Sequence, residues 1–234
     1  MILKQDYVMT KVLDNGYVTL KDIWGSDERI IEAARMSSGK GFLGWGTLEK
    51  PGDEKLLKYL WKNKHTSPFE QCGLTVEVQA PIMVFREWHR HRTQSYNEMS
   101  GRYTQIPDIH YLPEPSRVKA QSKANKQGTG NQELPPEIVA EFLSRVKAEQ
   151  EQIYATYQWA LDHGIAKEIS RINTPISRYS RMVASANLLN WLKFLTLRMP
   201  EAAQYEIRQY ANEVAKIIEE KFPRTWELFI NKEV

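Results

Sequence analysis

The stretch Leu74-Thr75-Val76-Glu77-Val78-Gln79-Ala80-Pro81-Ile82-Met83-Val84-Phe85 decides the fold class. Its first seven residues alternate apolar and polar, the period of a strand with one face buried and the other wetted. Pro81 presets a helical φ and has no amide hydrogen to lose, which suits the first residue of a helix through Ile82, Phe85 and Trp88. A half-buried strand running straight into a helix implies an α+β (mixed α/β) architecture, with a mainly antiparallel sheet.

Upstream, residues 7–13 and 17–24 are expected to form a hairpin around Asp14-Asn15-Gly16, because Asn-Gly between apolar runs favours a tight turn. Ser26 is placed to cap a helix reaching Met36, with Asp27 and Glu28 at its positive end. The glycines and proline of residues 37–52 predict a mobile loop. A helix over residues 53–63 then presents Leu56, Leu57, Leu60 and Trp61. Downstream, residues 90–103 read as irregular, and 117–134 as an exposed, disordered excursion. A long amphipathic helix is predicted over 139–161, a second strand over 176–184, and a very apolar helix over 187–197. A stripe through Ile207, Tyr210, Ala211, Val214 and Ile218 marks another helix. No repeat or linker divides residues 1–234, so one domain is expected.

Hydrophobic residues at 41% and charged residues at 26% match an ordinary globular chain and exclude wholesale disorder. A net charge of +3 is too small to single out a nucleic-acid binder. The lone cysteine, Cys72, excludes an intramolecular disulfide and reads as inert packing. Lys4, Gln5 and Asp6 stand where a secretory leader would be apolar, and no run approaches about 18 apolar residues. The expectation is a cytoplasmic protein without a membrane span. No His/Asp/Glu set has metal-ligand spacing, so no metal is expected.

Residues 90–103 (Arg-His-Arg-Thr-Gln-Ser-Tyr-Asn-Glu-Met-Ser-Gly-Arg-Tyr) offer three guanidiniums, an imidazole and a carboxylate. Forked arginine donors suit phosphate oxygens, and Ser100-Gly101 allows backbone amides close to an anion. A solvated basic loop is the plain alternative. Anchoring behind a strand and helix, varied polar types, and Arg171 and Arg198 at the ends of apolar stretches favour a phosphate or nucleotide site.

These residues resemble flavin-dependent thymidylate synthases. The family signature of Arg-His-Arg, seven residues and Ser is matched by Arg90-His91-Arg92 and Ser100, extended through Ser95-Tyr96-Asn97-Glu98 and Gly101-Arg102-Tyr103. Upstream, His65-Thr66-Ser67-Pro68-Phe69-Glu70 is similar to a second family segment. Downstream, Leu197-Arg198 and Ala203-Gln204-Tyr205-Glu206-Ile207 are similar to a third. The resemblance implies FAD, dUMP, methylenetetrahydrofolate and NADPH as ligands, a homotetramer, and methylation of uracil C5 without a cysteine nucleophile.

By the same resemblance Ser67, Arg90, His91, Arg92 and Glu98 are flavin contacts, joined by Asn187, Leu188 and Leu189. Ser100, Gly101 and Arg102 form the nucleotide-phosphate cradle, with Arg171 arriving from a neighbouring subunit. Glu87, Trp88, His89, Arg90, Glu98 and Met99 are substrate contacts. Arg198 is the catalytic arginine that favours negative charge near N3 of the uracil. Glu87 replaces a common Gln and needs an arginine neighbour; Lys193 replaces an Asn that touches FAD. His65 reads as functional and His89 is open between helix face and substrate contact. His110 and His163 read as structural or exposed; Trp159, Trp191 and Phe194 read as packing. A nucleic-acid-binding module and a different nucleotide enzyme are the competing functions.

Overall fold

The computed structural model describes residues 9–47 and 49–231; residues 4–8 of the leader and first-strand readings lie outside that range. Strands β1 (Met9–Val12) and β2 (Gly16–Trp24) open the chain, followed by helices α1 (Asp27–Arg35) and α2 (Glu54–Lys62). Next come β3 (Gly73–Pro81), α3 (Ile82–Trp88) and β4 (Ser95–Glu98), then β5 (Lys119–Gln121) and β6 (Thr129–Glu133). The remainder is α4 (Pro136–Asp162), α5 (Lys167–Ser170), β7 (Tyr179–Asn187), α6 (Leu188–Arg198), α7 (Tyr205–Lys221) and α8 (Pro223–Ile230). No helix among the described residues is long and apolar enough to cross a membrane.

Five strands form an antiparallel sheet in the order β1-β2-β3-β7-β4. The alternation read in β3 sets its packing. Leu74, Val76, Val78 and Ala80 are fully buried and lie opposite Ala186, Ala184, Met182 and Ser180 of β7. That face is covered by the apolar helices. Trp191, Phe194 and Leu195 of α6 and Ile207, Tyr210, Val214 and Ile218 of α7 are buried in the same core. Each large side chain removed from water in this way contributes about 1.5–3 kcal/mol. The opposite face, with Arg181, Val183, Ser95 and Asn97, is exposed in the single chain.

Several expectations shift. Pro81 closes β3 and caps α3 from outside instead of opening it. The predicted second strand starts three residues later, at Tyr179. The Asp14-Asn15-Gly16 turn exists, but Leu13 carries its positive φ of 56°. Gly16 is required for closeness, since a Cβ there would overlap the Tyr210 hydroxyl. Ser26 makes no side-chain cap bond to the helix amides.

The glycine-rich loop is tied down, not loose. Glu54 accepts hydrogen bonds from the Gly46 amide (2.8 Å) and the Gly52 amide (3.2 Å), and Trp45 Nε1 donates to Glu28 (2.6 Å). Ser95–Glu98, read as irregular, pairs with β7 as an edge strand. Residues 117–134 remain exposed but include the β5–β6 hairpin, held in part by Gln121 Nε2 donating to the Lys126 and Gly128 carbonyls. Trp159 is 57% exposed and stacks on His163, so it is not core packing.

Asp27 supplies a cap from a distance. Its buried carboxylate accepts from the Arg224 amide (2.8 Å), the Thr225 amide (3.1 Å) and the Thr225 hydroxyl (2.5 Å) at the start of α8. Pro223 has no amide, so these are the first donors α8 must satisfy. Asp27→Ala is expected to destabilise the protein by about 2 kcal/mol. Thermal unfolding should register this as a fall of roughly 4–8 °C.

Candidate active site

β3 and β7 run antiparallel, so the helices that follow them start at opposite ends of the sheet. α6 crosses back over the sheet and its last residue, Arg198, reaches the end of α3. There Arg198 Nη1 donates to Glu87 Oε2 (2.7 Å), Nη2 to the Glu87 carbonyl (3.1 Å), and Nε to His91 Nε2 (2.9 Å). The Arg198 side chain is 16% exposed. Its neighbour Glu87 is therefore the carboxylate paired with arginine that the sequence called for.

Because His91 Nε2 accepts from Arg198, the ring is neutral and carries its proton on Nδ1. Burial and then the Arg198 charge push its pKa down to about 4, opposed by Glu87. The ring lies edge-on to Phe194 at 4.8 Å. Tyr96 closes the loop from below, its hydroxyl donating to the main-chain oxygens of His91 (2.6 Å) and Trp88 (3.2 Å).

A second group forms at the Ser100–Arg102 turn. The Ser100 carbonyl accepts from the Tyr103 and Thr104 amides at 3.1 Å, and Lys167 of α5 donates to the Tyr103 carbonyl (3.0 Å). Arg102 Nε pairs with Glu168 at 3.4 Å; both are exposed, so the pair adds little stability. This docking of α5 places Arg171, the residue after it, against Gly101. A Cβ on Gly101 would stand 3.3 Å from Arg171 Cδ. The resemblance assigned Arg171 to a neighbouring subunit; here it reaches Gly101 within one chain. Glu98 and Met99 lead into this turn, and the Met99 amide donates to the Arg181 carbonyl (2.8 Å).

The third group surrounds the N-terminus of α6. Asn187 caps it by accepting from the Asn190 amide (3.0 Å), and Asn190 Nδ2 donates to the Thr93 carbonyl (3.3 Å). The 67–70 turn packs on the same helix. Ser67, Arg90, Arg92 and Lys193 are exposed on segments that border α6: Ser67 heads the 67–70 turn, Lys193 lies midway along the helix, and Arg90 and Arg92 flank His91, which meets Arg198 at its far end. Hydroxyl, guanidinium and ammonium donors of this kind fit the anionic pyrophosphate of a flavin dinucleotide.

Other assigned contacts differ in how far their side chains reach solvent. Trp88 is fully buried, donates to Gln94 Oε1 (3.0 Å) and packs on Phe194, so its side chain cannot meet a substrate. Leu188 and Leu189 are core residues whose side chains likewise face away from solvent. His89 sits under β7, with Nε2 3.2 Å from Met182 Sδ. His65 is exposed beside Tyr59. Cys72 is buried and burial raises its thiol pKa to about 12, so it is no nucleophile. Among the described residues no group of His, Cys, Asp and Glu side chains gathers as metal ligands would.

Sequence reading missed a cavity of about 1010 Å³ that opens beside Glu87 and Arg198. The β5–β6 hairpin forms one wall and Tyr205 and Arg208 border it. Arg117 anchors the hairpin by donating to buried Glu206 (3.0 Å) and to Thr129. A hairpin this polar carries no apolar alternation, so only the tertiary anchor reveals it.

The folded His91 pKa lies below its ordinary 6.5, so between those values the unfolded chain binds a proton that the native ring refuses. Stability is expected to fall as pH drops from about 6.5 to about 4 and to level off below. Urea unfolding across that range should show the slope, and His91→Gln should flatten it.

A profile of the thymidylate synthase complementing protein family matches residues 19–224. A flavin-dependent thymidylate synthase of Treponema denticola is 44% identical, over 88% of this chain and 76% of its own. That of Thermus thermophilus is 40% identical over 93% and 77%. Among solved structures, a UMP/dUMP methylase, PolB of Streptomyces cacaoi bound with 5-Br UMP, superposes with a TM-score of 0.81. It is 28% identical, covering 94% of this chain and 96% of that one. Match length, identity and fold agree: this chain belongs to the flavin-dependent thymidylate synthase family.

Proposed function

We propose that the protein converts dUMP to dTMP, taking the carbon from methylenetetrahydrofolate and the reducing hydride from NADPH through FAD. The observation that carries this reading is Arg198, held by three hydrogen bonds at the mouth of a cavity large enough for a nucleotide and a co-substrate. The flavin, when bound, supplies two-electron chemistry. The chain's own residues provide position and charge.

Methylation at C5 of uracil requires the ring to carry negative charge while the new carbon–carbon bond forms. Arg198 is fixed where such charge is stabilised without reorganisation, and its low exposure strengthens the effect. Glu87 and His91 prevent the side chain from swinging away. Ser100, Gly101 and Arg171 offer amide and guanidinium donors to the phosphate end of the nucleotide. Arg90, Arg92, Ser67 and Lys193 hold the flavin's phosphates. A nucleic-acid module would need none of the buried Arg198 set, so that alternative is disfavoured.

The assembly we propose is a homotetramer. Ser67, Arg90, Arg92 and Lys193 are exposed, as are Ile172 (78%), Ile176 (63%) and Leu197 (62%), apolar residues close in sequence to Arg171, Arg178 and Arg198. Exposed apolar side chains so close to arginines of the site suit a site shared between copies. Light scattering is expected to give about four times the 27.3 kDa chain mass.

Tritium release from C5-labelled dUMP, with FAD, NADPH and methylenetetrahydrofolate present, tests the reaction. Wild-type protein should release label and form dTMP. Arg198→Ala should retain bound flavin yet lose about 10²–10³-fold in turnover. Normal turnover in that variant would remove the mechanism.

A further inference from the structure

The cavity beside Arg198 extends well past the residues that hold that arginine. Its volume of about 1010 Å³ stands at the upper end of the range for small-molecule pockets, and Glu87 and Arg198 make up only part of its border. The first turn of α7 borders it too, through Tyr205 and Arg208, and the β5–β6 hairpin forms a further wall. Tyr205 is 38% exposed, and two guanidiniums lie over its ring, Arg117 at 5.2 Å and Arg208 at 5.7 Å from the centroid. Arg117 is already committed, since it donates to buried Glu206 and to Thr129. Arg208 lies outside the matched segments, is half-buried, and pairs with no carboxylate among the described residues.

A half-buried guanidinium without a counter-ion gives up hydration, and attraction to one tyrosine face returns only part of it. Lys119 of the hairpin wall is nearly as open. Its ion-pair partner Glu133 stands 3.9 Å away and is 85% exposed, so the pair is weak. Glu114 and Glu201 border the same cavity, but both are exposed and neither pairs with Arg208 or Lys119. The rest of the hairpin wall is neutral and polar, with side-chain amides from Gln121, Asn125 and Asn131. A planar ring can lie against Tyr205 or Arg208, because guanidinium planes stack on aromatic faces. The two cations call for an anionic group on the same ligand. Since Arg198 borders the cavity as well, one elongated molecule can reach both the reacting centre and Tyr205.

We propose that Tyr205 and Arg208 form a subsite for the remote end of a co-substrate, binding an aromatic ring that carries an anionic group. The inference rests on the reaction read above, whose two co-substrates share that chemistry. Methylenetetrahydrofolate ends in an aminobenzoyl-glutamate, and NADPH in an adenosine bearing a 2′-phosphate. The nucleotide's own phosphate is assigned to the Ser100–Gly101 turn, which does not border this cavity, so it makes no call on Arg208. The hairpin latched by Arg117 is then the wall that shapes the subsite and supplies Lys119.

Calorimetry on the FAD-loaded protein with dUMP bound tests this with two pairs of probes. NADP+ and NAD+ differ by one phosphate; tetrahydrofolate carrying three glutamates or one differs in its carboxylates. Wild-type protein should prefer the more anionic member of at least one pair. Arg208→Gln should weaken that ligand by about 10-fold and erase the preference, while dUMP affinity stays within about twofold. The pair that responds identifies the source of the anion. Tyr205→Leu should weaken the same ligand and Tyr205→Phe should not, because the ring is what the ligand meets. All three variants should melt within about 2 °C of wild type, as changes at part-exposed positions do. No preference in wild-type protein, an unchanged preference in Arg208→Gln, or an equal loss of dUMP overturns the subsite while the reaction reading stands. A wild-type protein that binds none of the four probes overturns the subsite and the co-substrates of that reading together.

Discussion

The nine-residue pairing of β3 with β7 is the constraint on which the site depends. Its register, Gly73 opposite Asn187 through Pro81 opposite Tyr179, fixes the starting points of α3 and α6 at opposite ends of the sheet. A slip of one residue would turn Leu74, Val76 and Val78 toward the exposed face and displace Arg198 from Glu87 together. Burial of the alternating apolar set therefore holds Arg198 in place indirectly. The Trp191 indole reinforces this by donating to the Leu74 carbonyl at 2.9 Å, joining α6 to β3 directly.

Arg198 occupies the carbonyl end of a short helix, where a cation is favoured by the helix dipole and by the free carbonyls. That position also explains why His91 stays neutral. A protonated ring would place two cations within hydrogen-bond distance, and burial already disfavours the charged form. Glu87 restores partial neutrality, so Arg198 meets a ligand as a fixed dipole-like pair and not as a bare charge. The carboxylate that departs from the family's usual amide is thus accommodated by geometry rather than merely tolerated.

Legibility from sequence followed physical cause. β3, α6 and α7 could be read because their burial imposes a period of two or of three and four on side-chain type. The Glu87–arginine pairing could be read because an acceptor-only side chain near an anion demands a cation. β4 could not: Ser95, Tyr96, Asn97 and Glu98 are polar edge residues whose pairing is set by β7, not by their own pattern. The hairpin of residues 119–133 escaped for the same reason. The burial of Trp88 was not legible because a motif specifies a residue's position in the chain and says nothing of which way its side chain points.

The three groups of the site differ in how much of their order exists before any ligand arrives. Around Arg198 the hydrogen bonds are complete within the chain, so the orienting element is rigid in advance, as charge stabilisation requires. Beside α6, Arg90, Arg92 and Lys193 are exposed and must lose side-chain freedom when a ligand binds. The turn of Gly101 and Arg171 lies between these cases: its groups are already gathered within the chain. A ligand group bound there has less side-chain freedom left to remove than one bound beside α6, so for equal contacts more of its interaction free energy survives as affinity.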